Sequence, residues 1–197
     1  MRSSSKRTIP PIEIAPTLQA IPGENFVPDP TPDALQRLLD HREIQDLAIR
    51  YCRAIDRHDW AAMHALYHGD ATDDHGSLFQ GPAREYIDWL PSMAQKMHAT
   101  FHQVSNHLIA LRGDQAEGEV YVVACHLKTG ADGQEEQVIT GGRYLDRYTR
   151  RDGAWKFQSR KAVMDWNEVQ ASLRRWPLTG AHGQQDPAWD FFEFLGK

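Results

Sequence analysis

Apolar residues begin to recur with a helical period near Asp33. Leu35, Leu38 and Leu39 come first. Ile44, Leu47, Ala48, Tyr51, Ala54 and Ile55 then follow the i, i+3, i+4, i+7 spacing of one buried helix face. Asp59 stands where an N-cap would open a short helix from Trp60 to about Tyr67, with Gly69-Asp70 as its stop. Residues 71–80 are polar and aperiodic, with a weak strand signal only around Ser77-Leu78-Phe79. Gly81-Pro82 restarts a helix to about Met97, with Tyr86, Ile87, Trp89, Leu90 and Met93 on its inner side.

The second half changes period. Four segments read as strands: 100–111, 116–128, 136–149 and 154–165. The turns between them are Arg112-Gly113-Asp114, Gly130-Ala131-Asp132-Gly133 and Arg151-Asp152-Gly153, all good hairpin chemistry. Helices followed by long strands on tight turns predict an α+β fold with an antiparallel meander. Residues 1–33 are rich in Pro and Ser and read as an extension. The domain proper spans 34–166. The tail, 167–197, is dense in aromatic residues, and Pro187 is placed to start a short helix packing on the domain or on a neighbouring subunit.

Composition narrows the function classes. The chain has 197 residues and a net charge of -5, with no stripe of Lys and Arg, so nucleic acid is not an expected partner. No apolar run is long enough to cross a membrane and the N-terminus lacks the apolar core of a secretory signal, so the expected location is the cytoplasm. Cys52 and Cys125 lie in apolar periodic segments and read as buried thiols. Asp73-Asp74-His75 is one short irregular cluster that reads as solvent-facing rather than as a metal site. His102 and His107 are five apart and face opposite sides of a regular strand, so they are no metal pair either.

Three stretches carry a resemblance. Ile44-Gln45-Asp46-Leu47 to Asp56 with Asp59-Trp60, Thr100 to His107, and Gly141-Gly142-Arg143-Tyr144 to Phe157 resemble the first helix, the histidine-bearing strand and the last hairpin of the SnoaL-like, or nuclear transport factor 2-like, superfamily. The likeness covers about residues 35–165. It implies a cone-shaped, curved antiparallel sheet with a mixed edge, wrapped by N-terminal helices around one pocket. Within the superfamily the chain looks most like hexachlorocyclohexane dehydrochlorinase, bile-acid 7-alpha-dehydratase and scytalone dehydratase, which are cofactor-free lyases. Carried over position by position, the resemblance implies Asp56, His102 and Arg160 as catalytic residues, with Tyr51 five residues before the aspartate. The further aspartate of the bile-acid enzyme has no counterpart, because Cys125-His126 stands there.

Elimination needs a base for a carbon-bound proton and an acid or cation for the leaving group. Histidine is suited to either role near neutral pH. A carboxylate on one ring nitrogen fixes its tautomer, so Asp56 and His102 are the expected dyad. Tyr51 and Arg160 would steady the leaving oxygen or developing negative charge. Tyr51 and Asp56 sit about 140° apart on a regular helix. Arg160 has the wrong parity: if Trp155 and Phe157 face the core, it reaches the pocket only if a bulge shifts the register or if pocket and core lie on opposite faces. Asn106, Trp89, Phe101 and Met93 complete the expected site, with no metal and no cofactor. The expectation is a lyase on an aromatic or polycyclic small molecule, expelling water, halide or an aldehyde fragment. The alternatives are an isomerase or cyclase in the same pocket, or a non-catalytic binding or assembly subunit. The related lyases imply a homo-oligomer, a trimer before a dimer.

Overall fold

The computed structural model describes residues 31–195. Helix α1 runs from Pro32 to Arg57; Thr31 caps it by accepting the Ala34 N–H at 3.3 Å, and Pro32 occupies a first-turn position that needs no N–H. It ends at His58, whose left-handed φ of 56° turns the chain sharply. Asp59 opens α2 (Trp60–Ala65), its carboxylate accepting the Ala62 N–H at 3.0 Å, as its sequence position predicts. Strand β1 follows (Tyr67–Asp74), then β2 (Gln80–Pro82), α3 (Ala83–Ala94) and four long strands, β3 (Met97–Arg112), β4 (Gln115–Thr129), β5 (Glu135–Arg151) and β6 (Ala154–Ala171). A short α4 (Ala188–Phe191) starts after Pro187.

The strands form one curved, unclosed sheet in the order β2-β1-β6-β5-β4-β3. All pairings are antiparallel except β1 with β6, which is parallel. This is the α+β, mixed-edge sheet that the pattern and the resemblance predict. One expectation is corrected here: the polar stretch after α2 does hold a strand, but at 67–74 rather than at 77–79. Its alternation is weak because Tyr67, Ala71 and Asp73 are buried while the residues between them are polar. Beyond residue 166, β6 runs on to Ala171.

Helices α1 and α3 lie on the inner face of the sheet. Ile44, Leu47, Ala48 and Tyr51 meet Tyr144, Tyr148, Phe157 and Val120, all buried. Ile87 and Leu90 bring α3 onto the same core. The aromatic rings pack mainly edge-on, Tyr51 against Tyr144 at 5.7 Å and against Phe157 at 6.2 Å.

Bulges decide which side chains enter. In β6, Tyr148 pairs with Phe157 but Arg147 pairs with Ser159, so Gln158 is one residue too many. Trp155 and Phe157 therefore share the inner face with Arg160 and Ala162, despite their opposite parity. A similar step between Val104 and His107 in β3 brings His107 back to the face of His102, correcting the expectation that they lie on opposite sides. The His107 ring reaches the Tyr148 hydroxyl at 3.3 Å.

In the tail, His182 stacks on His58 at 3.7 Å and Asp186 lies 3.7 Å from Arg57. Trp176, Phe191 and Phe194 remain exposed. Of the two cysteines, Cys52 is buried and Cys125 only half-buried, where both were expected to be buried.

Candidate functional site

Between α1, α3 and the sheet lies a cavity of about 350 Å³. Its walls are mostly apolar, with Ile55, Leu90, Val122, Val138 and Met164 among them, and its polar groups are few. His102 enters from β3. Asp56, in the last turn of α1, holds it twice. The His102 backbone N–H donates to Oδ2 at 2.9 Å, and the ring Nδ1 meets Oδ1 at 2.7 Å. An ionised carboxylate only accepts, so Nδ1 carries the hydrogen and Nε2 is the ring nitrogen left for the cavity. The two side chains are nearly buried, at 7% and 8% exposure. Asp56 also borders a shallow outer groove with Arg53, Arg57 and Phe101, so its carboxylate sits between cavity and surface.

Tyr51, Trp89 and Met93 line the cavity. Burial holds the Tyr51 hydroxyl far above its ordinary range, so it stays protonated and able to donate. Three expected residues are placed elsewhere. Phe101 is 57% exposed and faces the outer groove, because its neighbour His102 takes the inner side of the same strand. Asn106 falls in the β3 bulge and is exposed, away from the cavity. Arg160 turns inward, as the Gln158 bulge permits, yet it is not part of the cavity wall. Its guanidinium donates to both oxygens of Asp146 at 2.8 and 2.7 Å and is packed between the rings of Tyr51, Tyr144 and Phe157 at 4.0–4.3 Å. It props Tyr51 from behind.

Two cavity histidines were not among the expected site residues. His126, on β4, meets His102 edge-on at 5.4 Å. Burial first, and the neighbouring His102 second, push its pKa down to about 4, so it is neutral at pH 7. The alternation Val120, Val122, Ala124, His126 was the available signal, since it continues one inner face. His75 is the second. The expectation of a polar surface at Asp73-Asp74-His75 is corrected: Asp73 is 1% exposed and His75 lines the cavity. Asp73 accepts from the Tyr67 hydroxyl at 2.8 Å and contacts His75 Nδ1 at 2.5 Å. Reading 67–74 as a strand would have placed Asp73 inside, with Tyr67 and Ala71 as the anchors.

The profile of the SnoaL-like domain family matches residues 36–161. The chain belongs to this family. No curated protein matches the chain by sequence. Among solved structures, the SnoaL-like fold here is similar to a type 2 hexachlorocyclohexane dehydrochlorinase, at 23% identity and a TM-score of 0.66 over 73% of this chain and 97% of the other. A type 3 dehydrochlorinase from Novosphingobium barchaimii is similar at 22% identity and a TM-score of 0.64, over 73% and 99%. A protein provisionally assigned as a scytalone dehydratase, from Novosphingobium aromaticivorans, is similar at 24% identity and a TM-score of 0.60, over 72% and 97%. At these identities the likeness establishes the shared fold, and function must be argued from the site. Among the described residues, no helix is long and apolar enough to cross a membrane.

Proposed function

We propose that this SnoaL-like chain is a cofactor-independent lyase acting on an aromatic or polycyclic small molecule, with His102 as base and Asp56 as its orienting partner. The observation that carries the reading is the 2.7 Å contact between His102 Nδ1 and Asp56 beside a mostly apolar cavity. Nε2 takes a proton from a carbon made acidic by a neighbouring carbonyl or ring. The C–H electron pair becomes a double bond, and the bond to the leaving group on the next carbon breaks. Water is the favoured leaving group. The Tyr51 hydroxyl, held protonated by burial, hydrogen-bonds an oxygen of the substrate. Asp56 keeps the ring in one tautomer and stabilises the imidazolium that forms. Trp89 and Met93 present flat, polarisable surface to an aromatic substrate.

The test is a panel of aromatic β-hydroxy ketones followed by mass spectrometry. Loss of water from one of them, with a deuterium isotope effect at the carbon next to the carbonyl, is the expected result. His102→Gln should lower that rate by about 10²–10⁴-fold. A product of unchanged mass would instead mark an isomerase or cyclase. Binding without turnover, equally strong in His102→Gln, would mark a ligand-binding subunit.

A further inference from the structure

Two histidine–aspartate couples, not one, face this cavity. They stand on opposite walls. His102 is on β3, at one edge of the sheet, and His75 follows β1, four inter-strand steps away. At about 4.8 Å a step that is roughly 19 Å along the sheet, and the curvature folds that arc around the cavity.

The two couples differ in their surroundings. Asp56 borders an outer groove and has Arg53 and Arg57 beside it there. Asp73 is sealed, with no exposed side-chain surface. Its strand partner across the sheet is Arg160, but that guanidinium already serves Asp146 with two hydrogen bonds. The buried cluster thus holds two carboxylates, Asp73 and Asp146, and one arginine. Tyr67 from β1, Tyr86 from α3, Tyr51 from α1 and Tyr144 from β5 also face it, and burial keeps all four hydroxyls protonated. A lone buried charge is costly, and the His75 ring, in contact with Asp73, is placed to carry a second proton that balances it.

That proton sets the direction of a chain of contacts. Nδ1–H of His75 donates to Asp73. Nε2 lies 3.2 Å from the Tyr86 hydroxyl, and Tyr86 lies 3.4 Å from the Tyr51 hydroxyl. The ring of His75 is stacked on that of Tyr86 at 4.5 Å, which fixes both. With Nε2–H donating to the Tyr86 oxygen, the Tyr86 O–H is released to donate onward.

We propose that Asp73, His75 and Tyr86 form the acid side of this cavity, an oxygen-binding subsite that hydrogen-bonds and then protonates the substrate oxygen expelled opposite His102. This rests on the elimination reading and completes it. His102 takes the carbon-bound proton, and that C–H pair forms the new double bond. The C–O pair leaves with the oxygen. The leaving hydroxide takes the Tyr86 proton and becomes water, and His75 Nε2–H restores the Tyr86 hydroxyl. One turnover leaves His102 charged and His75 neutral; solvent resets each by one proton. Tyr86 touches substrate, and His75 and Asp73 act through it.

Two measurements test the subsite without requiring turnover. The first is nitrogen-15 NMR of the histidine rings in the whole chain at pH 7, assigned with His75→Gln and His102→Gln. The expected result is a proton on both ring nitrogens of His75. A neutral His75 overturns the proposal. The second is the infrared carbonyl stretch of bound 1-tetralone, a bicyclic ketone. It should fall on binding, return toward its value in hydrocarbon in Tyr86→Phe, and stay lowered in His102→Gln. Affinity in Tyr86→Phe should drop by up to about tenfold. No binding to the wild-type cavity, or a stretch indifferent to Tyr86→Phe, also overturns it. A stretch lost in His102→Gln alone would put the oxygen on the base wall and refute the subsite. Should both measurements succeed while no panel compound is turned over, the elimination reading fails and the oxygen subsite stands.

Discussion

Arg160 is buried at a register that its strand parity alone does not give. Its bulge brings it inside, where Nε and Nη2 bond Asp146, the guanidinium packs on three rings and Nη1 has no partner among the described residues. Removing one partner of such a pair strands the other charge in the core. Asp146→Asn is therefore expected to lower unfolding free energy by about 3–5 kcal/mol, measured by urea denaturation. Arg160→Met combined with Asp146→Leu should cost less than either single change, because neither charge of the pair is left without its partner. Asp56 makes the opposite case. Asp56→Asn keeps the shape but presents an amide that fits either ring tautomer, so activity should fall by a factor of at least about 10² while the thermal midpoint moves little. Legibility in the sequence follows the same division. His102 and Asp56 were readable because their setting resembles a family; their 2.7 Å contact closes 46 residues of separation that no spacing rule measures. Phe101 and Asn106 were misplaced because a strand's faces depend on bulges. His75 was missed because buried polar residues look like a surface in a sequence.

Elements were more legible than sites. The caps at Asp59 and Pro187, the three hairpin turns and the four long strands all follow from residue type and period. Strand β1 did not, since its inner face includes Asp73. The bulges had no sequence signal beyond the misfit of Arg160. The glycine pair in β5 carries an element-level prediction. A Cβ on Gly142 would stand 2.2 Å from the Val163 carbonyl oxygen, which belongs to the backbone of β6. On Gly141 its nearest neighbours would be ring atoms of Trp166, a half-exposed side chain rather than backbone. Gly142→Ala should thus destabilise by about 1–3 kcal/mol and Gly141→Ala by less, read from the shift in urea midpoint. Two neighbouring glycines would then differ because one faces a strand and the other a side chain.

At the scale of the whole molecule, buried histidines set the response to acid. Burial, then a neighbouring histidine, holds His126 to about pKa 4, and the same causes hold His58 to about 4 beside His182. In the unfolded chain both would titrate near about 6.5. Between those values the unfolded chain binds more protons, so stability is full above about pH 6.5 and is lost as pH falls toward about 4. Urea midpoints at pH 7 and pH 4.5 should show the drop, and His126→Gln should shrink it. The outer face of the sheet carries Phe101, Leu108, Tyr121, Val123 and Leu145, all exposed. A homo-oligomer of the kind the resemblance implies would bury that face, and Leu108→Lys is then expected to lower the mass seen by light scattering. The extra residue at Gln158 has its own consequence for how such a chain can diverge. A substitution along β6 disturbs the contacts of one side chain. A single-residue deletion there would rotate every side chain on one side of it, turning Arg160, Ala162 and Met164 outward together or expelling Trp155 and Phe157. Descendants of this sequence are free to vary the letters of the strand, but its length between the core and the cavity is fixed.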